Sequence, residues 1–377
     1  MEAGRWTLDT GAHRISRRAL LRSAALGGSG LLAAYLVGCG DGDEAGPAPT
    51  ATAGVWQPPT ATAAPAVLRW RPLTPSGALP PPRRDHSLVT DGERLILFGG
   101  RGPNPLGDTW VYAIASNQWE QVQTIGVPVP PVRFGHNAVW DRASNRIILF
   151  GGQAEATTFF NDLWAFDPEF WRWSQTSLPA GAPTPSPRYG AGAALDPTGR
   201  LLMTHGFTTS GRFDDTWQYG LGEQAWAEIT PGTERPVERC LMRAVWDPRQ
   251  QRLFIFGGQT NEQPFLGDLW SLFGDDWRQL TRTPAPSARN LYAMIFDEEA
   301  FRILLFGGRT ESGPVNDLWA FDAGSERWDQ LSVDGDSPSA RFGHDAVWLA
   351  DRRTLLMFGG NDGDTDLNDL WELSTSA

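Results

Sequence analysis

Six arginines recur at near-regular intervals along the chain: Arg83, Arg133, Arg188, Arg239, Arg289 and Arg341. A guanidinium carries five N–H donors in a planar fork and pairs with carboxylates through two parallel bonds. Several of them around one opening would take an anionic ligand, such as an acidic peptide or a uronic or sialic acid sugar. Placed one per structural unit, they would instead bond loop carbonyls or a nearby aspartate and pin neighbouring units. A ligand rarely needs six equivalent contacts, whereas six units need six equivalent joints.

Three of the six read Arg-x-x-His, through His86, His136 and His344. A metal site would require these imidazoles to converge with further donors. No pattern of carboxylate partners accompanies them, and recurrence at one motif position points to packing. The acidic run Asn361–Asp366 lacks the glycine at its sixth position and the late glutamate of an EF-hand. It reads as a surface turn. The chain contains no lysine, so no lysine Schiff base or lysine general base exists. No nucleophile elbow, phosphate loop or zinc-protease helix motif is present. These residues assign no catalytic group, no metal and no cofactor. The formal net charge of -12 argues against a nucleic-acid partner, because no positive field would draw phosphate in.

The elements that must position these residues form a repeat of about 52 residues. Gly-Gly closes an apolar run at 99–100, 151–152, 257–258, 307–308 and 359–360, and His205-Gly206 takes that place once. An Asp-x-Trp follows each time, at Asp108, Asp162, Asp215, Asp268, Asp317 and Asp369. A second tryptophan comes next, at Trp119, Trp173, Trp226, Trp277 and Trp328. Short runs rich in β-branched and aromatic residues, separated by turn residues, predict four strands per repeat. The sixth repeat stops before its second tryptophan. Leu68-Arg69-Trp70-Arg71-Pro72-Leu73 supplies the missing strand from the other end.

The pattern from Arg-x-x-His through Gly-Gly to Asp-x-Trp and the second Trp resembles the kelch repeat. The resemblance covers about 310 residues and implies an all-β fold. That fold is a six-bladed β-propeller with four-stranded blades over 67–377, its ring closed by an N-terminal strand completing the last blade. In kelch domains the strand after the arginine lines the central channel, so the resemblance implies that the six arginines can face a ligand at the channel mouth. Galactose oxidase has a propeller of this type. Its copper site needs a tyrosine crosslinked to a cysteine, a second tyrosine and two histidines. Here Cys240, after Arg239, is the one cysteine beyond the N-terminal segment. Its expected role is a small buried filler.

Residues 1–38 read as an export signal. Ser16-Arg17-Arg18-Ala19-Leu20-Leu21-Arg22 resembles the twin-arginine motif, and Leu36-Val37-Gly38-Cys39 resembles a bacterial lipobox. The apolar stretch between them is too short to stay as a membrane-spanning helix. Cys39 is the expected lipidation site. Residues 39–66, rich in Pro, Ala and Thr, are expected to form a disordered tether. The expectation is a monomer, exported and lipid-anchored to the outer face of the cytoplasmic membrane or cell envelope, that binds protein or glycan ligands. The alternative is a carbohydrate-active enzyme of the sialic acid mutarotase or galactose-oxidase-like type.

Overall fold

A computed structural model describes residues 67–123, 128–232, 234–280 and 283–375. Six antiparallel sheets of four or five strands succeed one another along the chain, and no α-helix occurs among the described residues. The fold is a six-bladed β-propeller. Blade one consists of Ser87–Thr90, Arg94–Phe98, Thr109–Ala113 and Gln118–Gln121, paired in that order.

Each strand's sequence pattern follows from its place in the stack. The second strand has neighbouring blades on both faces, so it reads as a continuous apolar run. Leu95, Ile96, Leu97 and Phe98 are all buried, as are Leu253 to Phe256 and Leu355 to Phe358. The outermost strand buries one residue, the repeat's second tryptophan, and leaves its other positions largely in water. Its pattern in Gln118–Gln121 is exposed, buried, exposed, exposed. Trp119, Trp173 and Trp328 are each 1% exposed. Each also meets a phenylalanine in the second strand of the preceding blade. Ring centroids lie 5.3 Å apart for Trp119 and Phe358, 4.8 Å for Phe98 and Trp173, and 5.5 Å for Phe256 and Trp328. These edge-on and tilted aromatic pairs tie one sheet to the next.

The ring closes with strands from both ends of the propeller. Leu68–Leu73 pairs antiparallel with Asp366–Thr375, in register from Leu68 opposite Thr375 to Leu73 opposite Leu370. Trp70 takes the outer-strand tryptophan position of blade six and packs on Phe306 of blade five, centroids 4.9 Å apart. Two short parallel additions lie outside the four-strand pattern: Val333–Asp334 beside Leu68–Leu73, and Ser76–Gly77 beside Gln118–Gln121.

At the loop end of the central channel the backbone forms a ring of its own. The residue two beyond each repeat arginine donates its N–H to the carbonyl of the equivalent residue in the preceding blade. The chain of bonds runs Asp85 to Gly343, Gly135 to Asp85, Gly190 to Gly135, Leu241 to Gly190, Leu291 to Leu241 and Gly343 to Leu291, at 2.7 to 3.0 Å. All six residues have φ between 54° and 66°. Glycine meets this requirement without strain. At Gly135 it is also required by space, since a Cβ would stand 2.2 Å from the Tyr189 ring.

Candidate ligand-binding face

The six repeat arginines do not face a ligand. Each is at most 1% exposed and is consumed within its own repeat. Both terminal nitrogens pair with the aspartate of Asp-x-Trp at 2.5 to 2.8 Å. One of them also donates to the carbonyl at the first Gly-Gly position, at 2.8 to 3.1 Å. Nε donates to the carbonyl two residues upstream at 2.9 to 3.1 Å. The aspartate's second oxygen also accepts the indole N–H of its own motif tryptophan at 2.6 to 2.8 Å. Meanwhile the arginine's backbone belongs to the previous blade: Arg133 N–H donates to Leu106, and its carbonyl accepts from Gly100. This corrects the channel-mouth expectation for Arg83, Arg133, Arg188, Arg239, Arg289 and Arg341. A fully buried charge needs its counter-charge and hydrogen bonds supplied from the protein, and satisfying it leaves little of the fork for a ligand.

The paired carboxyls respond accordingly. Burial would raise the carboxyls of Asp108, Asp215, Asp268 and Asp317, but the hydrogen bond and charge of the joint arginine outweigh it and hold them below the ordinary range.

His86, His136 and His344 sit between blades and pack edge-on against phenylalanines of the preceding blade. Their centroid distances are 5.6 Å to Phe358, 5.4 Å to Phe98 and 5.5 Å to Phe306. Burial, then the nearest joint arginine, holds all three well below the usual imidazole range, so they are neutral. Tyr292 fills the same slot in blade five and bonds the Phe256 carbonyl through its hydroxyl. No group of three or more His, Cys, Asp or Glu among the described residues is placed to hold a metal ion. In the acidic run, Asp362 accepts the backbone N–H of Asp364 and Thr365, and Asp366 pairs with Arg84. Cys240 is buried, and burial pushes its thiol up. Cys39, with the export signal and tether, lies outside the described residues.

A second set of positions stands one residue beyond each landmark. The residue after the joint arginine forms a single β-bridge with the residue after Gly-Gly. These bridges are Arg84 with Arg101, Phe134 with Gln153, Tyr189 with Phe207, Cys240 with Gln259, Asn290 with Arg309, and Phe342 with Asn361. They circle the loop face. Three arginines from this circle line one cavity of about 460 Å³, together with Phe342, Asn361, Pro314 and two glycines. Arg84 pairs with Asp366, and Arg101 Nε donates to Asp85 at 2.7 Å. Burial works against charge on Arg101, but Asp85 outweighs it and stabilises the cation. Arg309 is exposed, lies over the Phe342 ring at 5.7 Å, and has no ion pair among the described residues. Arg101 also lies over Phe134 at 4.6 Å, and Phe134 leads on to Tyr189 and Phe207. The cationic pocket therefore borders an aromatic arc. Sequence reasoning missed these arginines because they do not recur. Their signal was their position immediately after the Arg and Gly-Gly landmarks.

The opposite end of the channel is different. A cavity of about 620 Å³ runs along the innermost strands of all six blades to the turns on the other face. Towards the loop face lies a void of about 30 Å³ lined by the residues of the backbone ring, room for one or two waters. Arg243 lines both spaces and meets Asp345 at 3.3 Å.

Residues 62–246 and 225–377 match the family described as the KLHDC2/KLHL20/DRC7 Kelch-repeats domain. The chain belongs to the kelch-repeat family. Among curated proteins, this kelch propeller is 29% identical to Adagio-like protein 3 of Oryza sativa subsp. japonica, over 81% of the chain and 50% of the rice protein. It is 27% identical to Host cell factor 1 of Homo sapiens, over 82% of the chain and 17% of the human protein. The chain thus spans half or less of the length of these two relatives.

Proposed function

We propose that this kelch propeller is a non-catalytic binding module that holds a carboxylate-bearing segment of a protein or glycan on its loop face. The observation that carries this reading is the cavity in which Arg84, Arg101 and Arg309 converge, with Arg309 lacking a carboxylate partner among the described residues. Two of the three guanidiniums are already oriented by aspartates, so they meet a ligand pre-positioned. The third offers its fork to the ligand, and Phe342 supplies an apolar wall. Beyond the buried Phe134, the partly exposed rings of Tyr189 and Phe207 give a ligand longer than one residue a surface to lie on.

Fluorescence anisotropy with a labelled glutamate-rich peptide tests this, alongside an array of uronic and sialic acid glycans. Saturable binding of either probe, weakened at least about tenfold by Arg309→Ala, is expected, a change of about 1.4 kcal/mol. Binding of neither, or binding indifferent to Arg309→Ala, would overturn the reading. The array separates a glycan ligand from a peptide one.

The same proposal keeps the module at a membrane surface through a lipid on Cys39. Cys39→Ser should move the protein from the detergent phase to the aqueous phase with its fold unchanged. Retention of both forms in detergent would remove the anchor from the account.

A further inference from the structure

The axial channel has the anatomy of a second ligand site, independent of the loop-face pocket. Its blind end is made by backbone. The six residues of the hydrogen-bonded ring line a space of only about 30 Å³, too small to pass an organic solute that enters from the opposite face. At that end stands Arg243, the first residue of the channel-lining segment in blade four. About a quarter of its side chain is accessible, and the spaces it lines are the channel and the void. Asp345, at 3.3 Å, is its one ion-pair partner among the described residues, and Asp345 is itself engaged by the N–H groups of Leu88 and Ala346. Most of the guanidinium fork is therefore left for something in the channel. The histidines around it are neutral and do not compete for an anion.

Nearer the open end the chemistry changes. Trp140, Trp246, Phe296 and Trp348 stand at the same register of their strands, each half-buried, and all line the cavity. The tryptophans come from blades two, four and six, every second blade of the ring. Between this aromatic layer and Arg243 the wall is alanine and valine with one leucine, one isoleucine and one methionine, Leu88, Ile295 and Met294. A polar terminus, an apolar shaft and an aromatic throat, in a space within the usual range of small-molecule pockets, describe an amphipathic occupant with one anionic end.

We propose that the channel binds a small organic carboxylate, its anionic group on Arg243 and its apolar body between the aromatic layer and the aliphatic wall. It enters from the face opposite the loop pocket, so the two sites can be filled together.

The test is calorimetry on the propeller with 4-phenylbutyrate and its neutral counterpart 4-phenyl-1-butanol. The acid should bind saturably with one site per chain and at least about tenfold more tightly than the alcohol, and Arg243→Gln should erase that preference. Arg309→Ala, on the other face, should leave the acid's affinity unchanged. The comparison of acid with alcohol on the unaltered protein stands even if Arg243→Gln does not fold. Absence of saturable binding would leave the channel as water-filled space and overturn the proposal. So would equal affinity for acid and alcohol, or loss of binding in Arg309→Ala.

Discussion

Arg83 and Arg84 are neighbours in sequence and opposites in circumstance. The first is buried, with four hydrogen bonds from three nitrogens to its own repeat. The second pairs with Asp366 at the edge of an open cavity beside Arg101 and Arg309. Residue type does not separate them; supply of partners does. A joint arginine arrives with its aspartate and two carbonyls provided at the same spacing in every repeat. A loop-face arginine has whatever its particular blade offers, and among the described residues Arg309 is offered an aromatic face and no carboxylate. What repeats is architecture, and what differs between repeats is where recognition can be specific.

The comparison breaks most severely where the ring itself opens. Deleting residues 67–73 removes a six-residue pairing with the last blade and should abolish a single cooperative thermal transition. Trp70→Ala alone should lower stability by about 3–5 kcal/mol, measured by urea unfolding. An unchanged midpoint in both variants would show that closure does not hold the ring.

The joints come next, and the two partners should differ. Arg188 is fully buried whereas the Asp215 side chain is 21% exposed. Asp215→Ala leaves an uncompensated buried cation and should cost about 3–5 kcal/mol. Arg188→Ala leaves a carboxylate that water can reach and should cost about 1–3 kcal/mol. Equal losses would mean that burial is not what makes the joint asymmetric.

Acid should attack the histidine contacts between blades first and the joints second. His86, His136, His205 and His344 are held below their ordinary range, His205 at about 3, first by burial. The unfolded chain takes up these protons from about pH 6.5 downward while the fold refuses them. Stability from this source is present above that pH and is lost as pH falls towards the folded values, by at most about 1.4 kcal/mol per unit for each histidine. The joint aspartates, also depressed, add a second loss below the ordinary carboxylate range, as pH falls through their folded values. Melting temperatures should therefore decline from about pH 6.5 and fall again below about pH 4. A flat profile from pH 7 to pH 4.5 would place those histidines in water.

Loop-face changes should be smallest in stability. Arg309→Ala should stay within about 0.5 kcal/mol of the parent by urea unfolding.

The fold was legible in the sequence because every blade repeats the same demands. Two-sided burial writes an unbroken apolar run such as Leu253 to Phe256, and one-sided packing writes a lone tryptophan in a polar strand. Blade closure was legible because the sixth repeat lacked a tryptophan that Leu68–Leu73 carried. The candidate site was not legible, and the same regularity explains why. Periodicity drew attention to the six arginines that recur, yet recurrence is what a joint needs. Arg84, Arg101 and Arg309 occupy equivalent positions that elsewhere hold Phe134, Gln153 or Cys240, so no periodic signal marks them. The backbone ring was hidden for another reason: its six members are three glycines, two leucines and an aspartate, united only by a positive φ.

The most direct test of the division between joint and site places Arg83→Ala beside Arg84→Ala. For each variant, the urea midpoint and the affinity for one labelled glutamate-rich peptide are measured on the same preparation. Arg83→Ala should lose about 1–3 kcal/mol of stability and, where still folded, bind the peptide as the parent does. Arg84→Ala should keep its stability to within about 1 kcal/mol, the reach of a partly exposed ion pair, and lose at least about tenfold in affinity. The reverse pattern, with Arg84 carrying stability and Arg83 carrying the peptide, would contradict the account at its centre.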